Sequence, residues 1–320
     1  MPAVPDGRFA PSPTAPLHVG NLRTALLAWL FARSSGSRFL LRVEDLDRVA
    51  SRPEHVASHL ADLGALGLDW DGDVAFQSDR FDRYEQALSG LDADGLLYPC
   101  YCTRREVAAA AAAPHGPLPE GAYPGTCRTL TSAQRAEREA AGRRPSWRVR
   151  AGGERVTAVD RLRGPVERVV DDFVVRRADG VPSYQVAVVV DDADAGIEEV
   201  VRGDDLLDTT PRQVWLAERL GVPVPAYAHV PLVVGSDGER LAKRHGAVTL
   251  AGLAGRGVGA AAVVAALAES LGPAVERTAR DGAPVAVSDL VSGFDPVAVP
   301  TSPWAFDADA LVRASVMRSS

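Results

Sequence analysis

The chain has 320 residues, 46% hydrophobic and 24% charged, proportions that suit a soluble protein of about two domains. No apolar run approaches the ~20 residues that span a bilayer, and MPAVPDGRF lacks a basic start and an apolar signal core, so a cytoplasmic protein without membrane contact is expected. A net charge of -7 argues against a surface that binds nucleic acid everywhere, though not against a local basic groove, and three cysteines exclude a secreted disulfide framework.

In chain order, residues 4–10 read as a short strand, and the prolines at 11, 13 and 16 forbid helix directly after it. LHVGNLRTALLAWLFARSSG then spaces Leu22, Ala25, Leu26, Trp29 and Leu30 along one helical face. A strand, a stiff loop and a helix start make a phosphate site, because the helix presents unpaired N–H groups and a positive dipole end. Gly20 admits a ligand close to the backbone, and His18 and Asn21 add donors. The competing reading is a capped helix with an incidental histidine, and HxGN alone is too short to decide.

SRFLLRVEDLDR reads as a strand ending in Glu44, Asp45 and Asp47. Ligands bind beyond the C-terminal ends of parallel strands, so one of these carboxylates can hold an ammonium; Asp45 and Asp47 read rather as caps of the next helix. RPEHVASHLADLGALGLDWDG and QSDRFDRYEQALSGLDADG read as helices, the second stopped at Gly95.

From 96 to 170 the alternation breaks down. Cys100, Cys102 and Cys127 lie within 28 residues and resemble a metal knuckle. Zinc takes four ligands: His115 in the intervening loop is the ordinary choice for the fourth, while Tyr123 stands four residues before Cys127, and spacing leaves the matter open.

Alternating strands then return, with the ADG at 178–180 read as a hairpin turn between DFVVRR and PSYQVAVVVDD. Tyr184 is expected to open a strand and Arg202 to close another, converging on Glu44. PLVVGSDGERLAKRHGAVTL carries Arg240, Lys243 and Arg244 on a glycine-flanked loop suited to close over polyphosphate. Beyond 250 a helix precedes a Pro/Gly/Asp-rich tail to which no chemistry is assigned.

RFAPSPTAPLHVGN and ERLAKRHGA resemble the two signatures of the glutamate-type class I aminoacyl-tRNA synthetases, and VEDLDR, LGLDW, QSDR, YPCYCT, SYQVAVVVDD and VVRGDDLLDTTPRQ are similar in order and spacing, from about residue 5 to 250. The resemblance implies an α/β, Rossmann-type catalytic domain in two halves, 1–95 and 171–250, split by a zinc-bearing acceptor-binding insertion at 96–170, with a short, mostly helical region at 251–320. It implies activation of L-glutamate by ATP and magnesium and transfer to tRNA. Catalysis would rest on His18, Asn21 and Lys243; ATP would meet Pro11, His18, Gly20, Asn21, Arg240, Lys243 and Arg244; glutamate would meet Arg8, Ala10, Ser12, Glu44, Tyr184 and Arg202. One structural zinc would be held by Cys100, Cys102, Tyr123 and Cys127, which displaces His115.

Only about 70 residues follow the lysine loop, where full-length charging members carry an anticodon-binding region. The sequence is similar instead to the truncated branch that places glutamate on the queuosine base of tRNA(Asp), and a monomer is expected. Asn21 replaces the usual second histidine and Ala242 a frequent serine, and neither removes a key group. The rival readings are a minimal enzyme charging the 3′ end of tRNA(Glu), a small-molecule nucleotidylyltransferase, which shares HxGN but has no use for the zinc insertion, and a non-catalytic RNA-binding paralogue, which would be expected to lose His18 or Lys243.

Overall fold

A computed structural model describes residues 6–111, 122–241, 248–275 and 285–319. The first half runs β1 (Gly7–Phe9), α1 (Val19–Ser34), β2 (Phe39–Val43), α2 (Pro53–Ala65), β3 (Ala75–Phe76) and α3 (Phe81–Ala93). The middle comprises β4 (Leu97–Cys100), α4 (Arg104–Ala111), α5 (Ser132–Ala140), β5 (Ser146–Val149), β6 (Glu154–Asp160), β7 (Gly164–Val170) and β8 (Val174–Arg176). Then come α6 (Tyr184–Asp194), β9 (Glu199–Gly203), α7 (Thr210–Leu220), β10 (Ala226–Val230) and β11 (Val233–Val234), and finally α8 (Leu250–Ala254), α9 (Ala260–Ser270), β12 (Trp304–Ala305) and α10 (Ala308–Ser319).

Seven strands form one sheet in the order β3-β2-β1-β9-β10-β6-β7, parallel throughout except for the β6–β7 pair. The order turns between β1 and β9, where chain from the two halves meets side by side. A crevice opens beyond the strand ends at such a switch point. Alternation along β9 sends Val201 to a core shared with α1 and the C-terminal elements, and Val200 to one shared with α3, α6 and α7. The strands β4, β5 and β8 make a separate antiparallel sheet, whereas β6 and β7 extend the large one, so the stretch 96–170 contributes to both sheets.

The C-terminal elements prop α1 from behind. Phe31 meets Phe294 edge-on at 5.3 Å, and the buried Arg23 guanidinium bonds Ser270 Oγ at 2.9 Å and the Pro231 carbonyl at 3.0 Å. Among the described residues no helix is long and apolar enough to cross a membrane.

Two expectations are corrected. PSYQVAVVVDD is not a strand: the backbone turns after β8 and enters α6, with Tyr184 as its first residue. Residues 186–192 are all buried, and a run buried on every side has no periodicity to separate helix from strand, so packing overrides the β preference of valine. Asp47 accepts from Val49 and Ala50 in a turn and Asp45 from Ser78, so neither caps α2, whose N-cap is Arg52.

Candidate active site

The loop between β1 and α1 is fixed at three points. Pro11 O accepts the Glu44 N–H at 3.1 Å, Pro13 O accepts the Arg52 N–H at 3.0 Å, and Ala15 O accepts from the buried His59 Nε2 at 2.8 Å. The loop delivers His18 as the N-cap of α1. Its Nδ1 accepts the Asn21 N–H at 3.2 Å while Asn21 Oδ1 accepts the His18 N–H at 3.1 Å, a reciprocal cap. An Nδ1 that accepts leaves the ring proton on Nε2, and burial followed by the nearby Arg240 charge pushes the His18 pKa down, which keeps the ring neutral. The sequence suggested several free N–H groups here. His18, Asn21 and Val19, which bonds Val248 O at 2.7 Å, are satisfied, and Gly20 alone keeps an N–H with no partner among the described residues. Gly20 is needed for the ring itself, since a Cβ there would stand 2.9 Å from His18 Cε1.

This helix start forms one wall of a cavity of about 550 Å³ at the switch point. Every expected ATP or glutamate residue that falls within the described residues lines it: Arg8, Ala10, Pro11, Ser12, His18, Gly20, Asn21, Glu44, Tyr184, Arg202 and Arg240. Lys243 and Arg244 lie outside the described residues. The ends of their segment do reach the site: Leu241 N–H bonds Val233 O at 3.2 Å, and Val248 and Thr249 bridge to Val19 and His18. Arg240 pairs with Asp205 at 2.9 Å.

Arg8 and Glu44 belong to a cluster of buried charges whose other members, Asp192 and Arg42, the sequence did not reveal. Asp192, on α6, takes Arg8 at 3.3 Å and Arg42 at 2.6 Å. Burial would raise its pKa, but the two guanidiniums overcome this and hold the carboxyl below its usual range. Arg42 also reaches Glu44 at 3.3 Å. Glu44 is pushed up by burial, which Arg42 and Arg8 only partly oppose, so its carboxylate lacks a full counter-charge.

Arg202 is the reverse case, a buried cation with no carboxylate in contact among the described residues. Its Nε donates to His229 Nε2 at 3.0 Å, its Nη2 to Thr210 Oγ1 at 2.9 Å, and its Nη1 has no partner. Tyr184, held up by burial, feels both Glu44 and Arg202. A buried unsatisfied donor costs about 1–3 kcal/mol, and an anion entering the cavity would relieve it.

Away from this cavity, the sulfurs of Cys100, Cys102 and Cys127 lie within 4.8 Å of one another, Cys102 and Cys127 at 3.5 Å. Zinc–sulfur bonds of about 2.3 Å in a tetrahedron set sulfurs roughly 3.8 Å apart, so the donor set fits the metal. The Tyr123 hydroxyl is 3.3 Å from Cys100 Sγ and 3.7 Å from Cys102 Sγ. The hydrogen bond between Cys100 and Cys127 lowers the Cys100 thiol against the effect of burial and raises that of Cys127. His115 lies outside the described residues.

The profile of the family described as tRNA synthetases class I (E and Q), catalytic domain, matches residues 6–311. The chain belongs to this class I synthetase family. Within it, the glutamyl-Q tRNA(Asp) synthetase of Nocardia farcinica is 57% identical over 309 residues, 97% of this chain and 95% of that protein. The protein of the same name from Symbiobacterium thermophilum is 50% identical, over 97% of this chain and 98% of its own. Among solved structures, a glutamate tRNA ligase of Elizabethkingia meningosepticum in complex with its amino acid superposes with a TM-score of 0.83 at 25% identity, over 99% of this chain but 70% of that one. Class I synthetases of this type use ATP.

Proposed function

We propose that the protein activates L-glutamate with ATP to glutamyl adenylate and transfers the glutamate to the queuosine base in the anticodon of tRNA(Asp). The observation that carries the amino-acid choice is that Arg202, buried and with its Nη1 unpartnered among the described residues, lines the same cavity as the buried carboxylate of Glu44. A ligand with a side-chain carboxylate and an α-ammonium satisfies both groups. Glutamine would leave the guanidinium without its anion. The acceptor rests on the glutamyl-Q tRNA(Asp) synthetase relatives, which match this chain over nearly its full length and theirs.

In the reaction the α-carboxylate of glutamate attacks the α-phosphorus of ATP in line, the bond to pyrophosphate breaks, and no covalent enzyme intermediate forms. Catalysis is then positioning and stabilisation of phosphoryl charge. The neutral His18 offers its Nε2–H, Gly20 its backbone N–H, and Asn21, whose oxygen alone serves the cap, has amide donors without a partner among the described residues. Pro11 and Ala10 shape the wall, Ser12 contributes a hydroxyl, and Arg8 holds the floor through Asp192. Magnesium would offset charge on the departing pyrophosphate. Lys243 and Arg244 would add positive charge at the phosphates, the role the family's second signature gives them. Lys243 is the single lysine of the chain, all 34 other Lys/Arg positions being arginine, and a compact mobile ammonium is the one cation that arginine does not replace.

Cys100, Cys102, Cys127 and Tyr123 would hold one structural zinc, which would stabilise the segment around it. That segment also explains how an acidic chain holds RNA. Residues 96–150 carry nine arginines against four glutamates, a surplus of five positive charges in a chain of net charge -7. Arg104, Arg105 and Arg144 are exposed on it. The protein acts in the cytoplasm as a monomer.

The test is ATP–pyrophosphate exchange with glutamate, glutamine and aspartate, with and without tRNA(Asp). Exchange with glutamate alone is expected. Comparable exchange with glutamine would contradict the assignment of Arg202.

A further inference from the structure

We propose that Asp160 and His229 are positioning residues for Arg202: the carboxylate fixes which ring nitrogen of His229 carries the proton, and the ring then holds the guanidinium so that Nη1 stays free for a substrate carboxylate. This rests on the reading of Arg202 given above.

Strand register builds the arrangement. On adjacent parallel strands His229 of β10 stands opposite Arg202 of β9, and Asp160, the last residue of β6, stands opposite Tyr227. Asp160 Oδ1 accepts the Leu162 and Arg163 N–H groups at 2.9 and 2.8 Å, and Oδ2 accepts the His229 N–H at 2.9 Å and ring Nδ1 at 2.6 Å. A carboxylate can only accept, so Nδ1 carries the proton and Nε2 presents a lone pair. That lone pair takes the Arg202 Nε–H at 3.0 Å, and Thr210 Oγ1 takes Nη2 at 2.9 Å. The Tyr227 ring lies stacked against His229 and 5.3 Å from the guanidinium carbon. With two of its three nitrogens held, the planar fork has one orientation left. All three charged or titratable members are buried, at 3% exposure for Asp160, 0% for His229 and 5% for Arg202.

The gain over a direct ion pair is visible in the same cavity. Arg8, which lines it, gives Nε and Nη2 to Asp192 and Nη1 to the Val201 carbonyl, so its donors and its charge are taken up at contact. At Arg202 a neutral imidazole stands between cation and carboxylate. The guanidinium is held without being neutralised at contact, and the anion it lacks is left for the substrate to bring.

The variant Asp160→Asn tests this. Its amide oxygen would be kept by the Leu162 and Arg163 N–H groups, turning the NH2 toward the ring. Nδ1 then becomes an acceptor, the proton moves to Nε2, and an N–H faces the Arg202 N–H. The expected result is a rise of about 10- to 100-fold in KM for glutamate, an unchanged KM for ATP, and a weaker preference for glutamate over glutamine. A parallel rise in both KM values, or a fall in kcat with both KM values unchanged, would overturn the proposal. Nitrogen-15 NMR of ring-labelled wild-type protein, with the His229→Gln variant to assign the signal, gives a readout independent of turnover. Protonated Nδ1 is expected, and a protonated Nε2 overturns the relay. Failure of the wild type to exchange with glutamate would instead refute the substrate assignment, while the ring-proton result still decides the relay.

Discussion

His18 and Asn21 cap α1 by bonding each other, ring Nδ1 to one backbone N–H and amide Oδ1 to the other, at 3.2 and 3.1 Å. The cap uses only Nδ1, and the proposed function assigns the phosphate contact to Nε2, so a substitution can separate the two. Asparagine is an excellent N-cap but has no group at the place of Nε2. His18→Asn is expected to keep the thermal midpoint and lose about 10²-fold in exchange rate. His18→Ala should lose activity and, in addition, about 1 kcal/mol of stability, a fall of a few degrees in the midpoint. Full exchange by His18→Asn would make the residue a cap only.

Glu44 is raised by burial ahead of the opposing Arg42 and Arg8 charges. A carboxyl raised in the folded state contributes stability that is complete below its ordinary value of 4.5 and is lost as pH rises through the raised value. Glu44→Gln should therefore be more thermostable than the ligand-free wild type at neutral pH and bind glutamate far more weakly. An incoming ammonium favours the ionised carboxyl, so glutamate binding to the wild type should release protons on the acid side of neutrality. Calorimetry in buffers of different ionisation enthalpy reads this directly, and the release should vanish in the variant.

For the cysteine cluster, elemental analysis of protein purified without chelator should find one zinc per chain. Cys127→Ser should lose most of it. Tyr123→Phe separates the ligand sets: reduced zinc supports the hydroxyl as the fourth donor, and unchanged zinc shows that the hydroxyl only packs against the sulfurs and accepts the Cys127 N–H at 2.9 Å.

The exposed arginines at 104, 105 and 144 predict a division between the two half-reactions. Changing all three to alanine should leave ATP–pyrophosphate exchange intact and weaken tRNA binding. The slope of log affinity against log salt should shrink by about one for each phosphate that an arginine no longer neutralises. Loss of exchange with unaltered tRNA affinity would put the RNA surface elsewhere.

Much of this site is legible in the sequence because its groups sit where chain geometry must place them. Glu44 directly follows β2, His18 caps α1, and Arg202 lies near the end of β9, all on the ligand side of a parallel sheet. What escapes a linear reading is lateral. Asp160 and His229 are 69 residues apart and meet only through the register of β6, β10 and β9. Asp192, sitting in an apolar run, reads as strand from composition and becomes the charged inner face of α6, because valines buried on all sides carry no period. Tyr184 reaches the cavity from a helix start, not a strand, and the helix still brings its hydroxyl near Glu44 and Arg202.

Transfer to the acceptor decides the proposed function most directly. Labelled glutamate and ATP should be supplied with three RNAs in parallel: tRNA(Asp) bearing queuosine, the same tRNA without it, and tRNA(Glu). Label on the queuosine-bearing tRNA(Asp) alone is the predicted result. Label on the 3′ end of tRNA(Glu) would contradict it and make the protein a minimal charging enzyme.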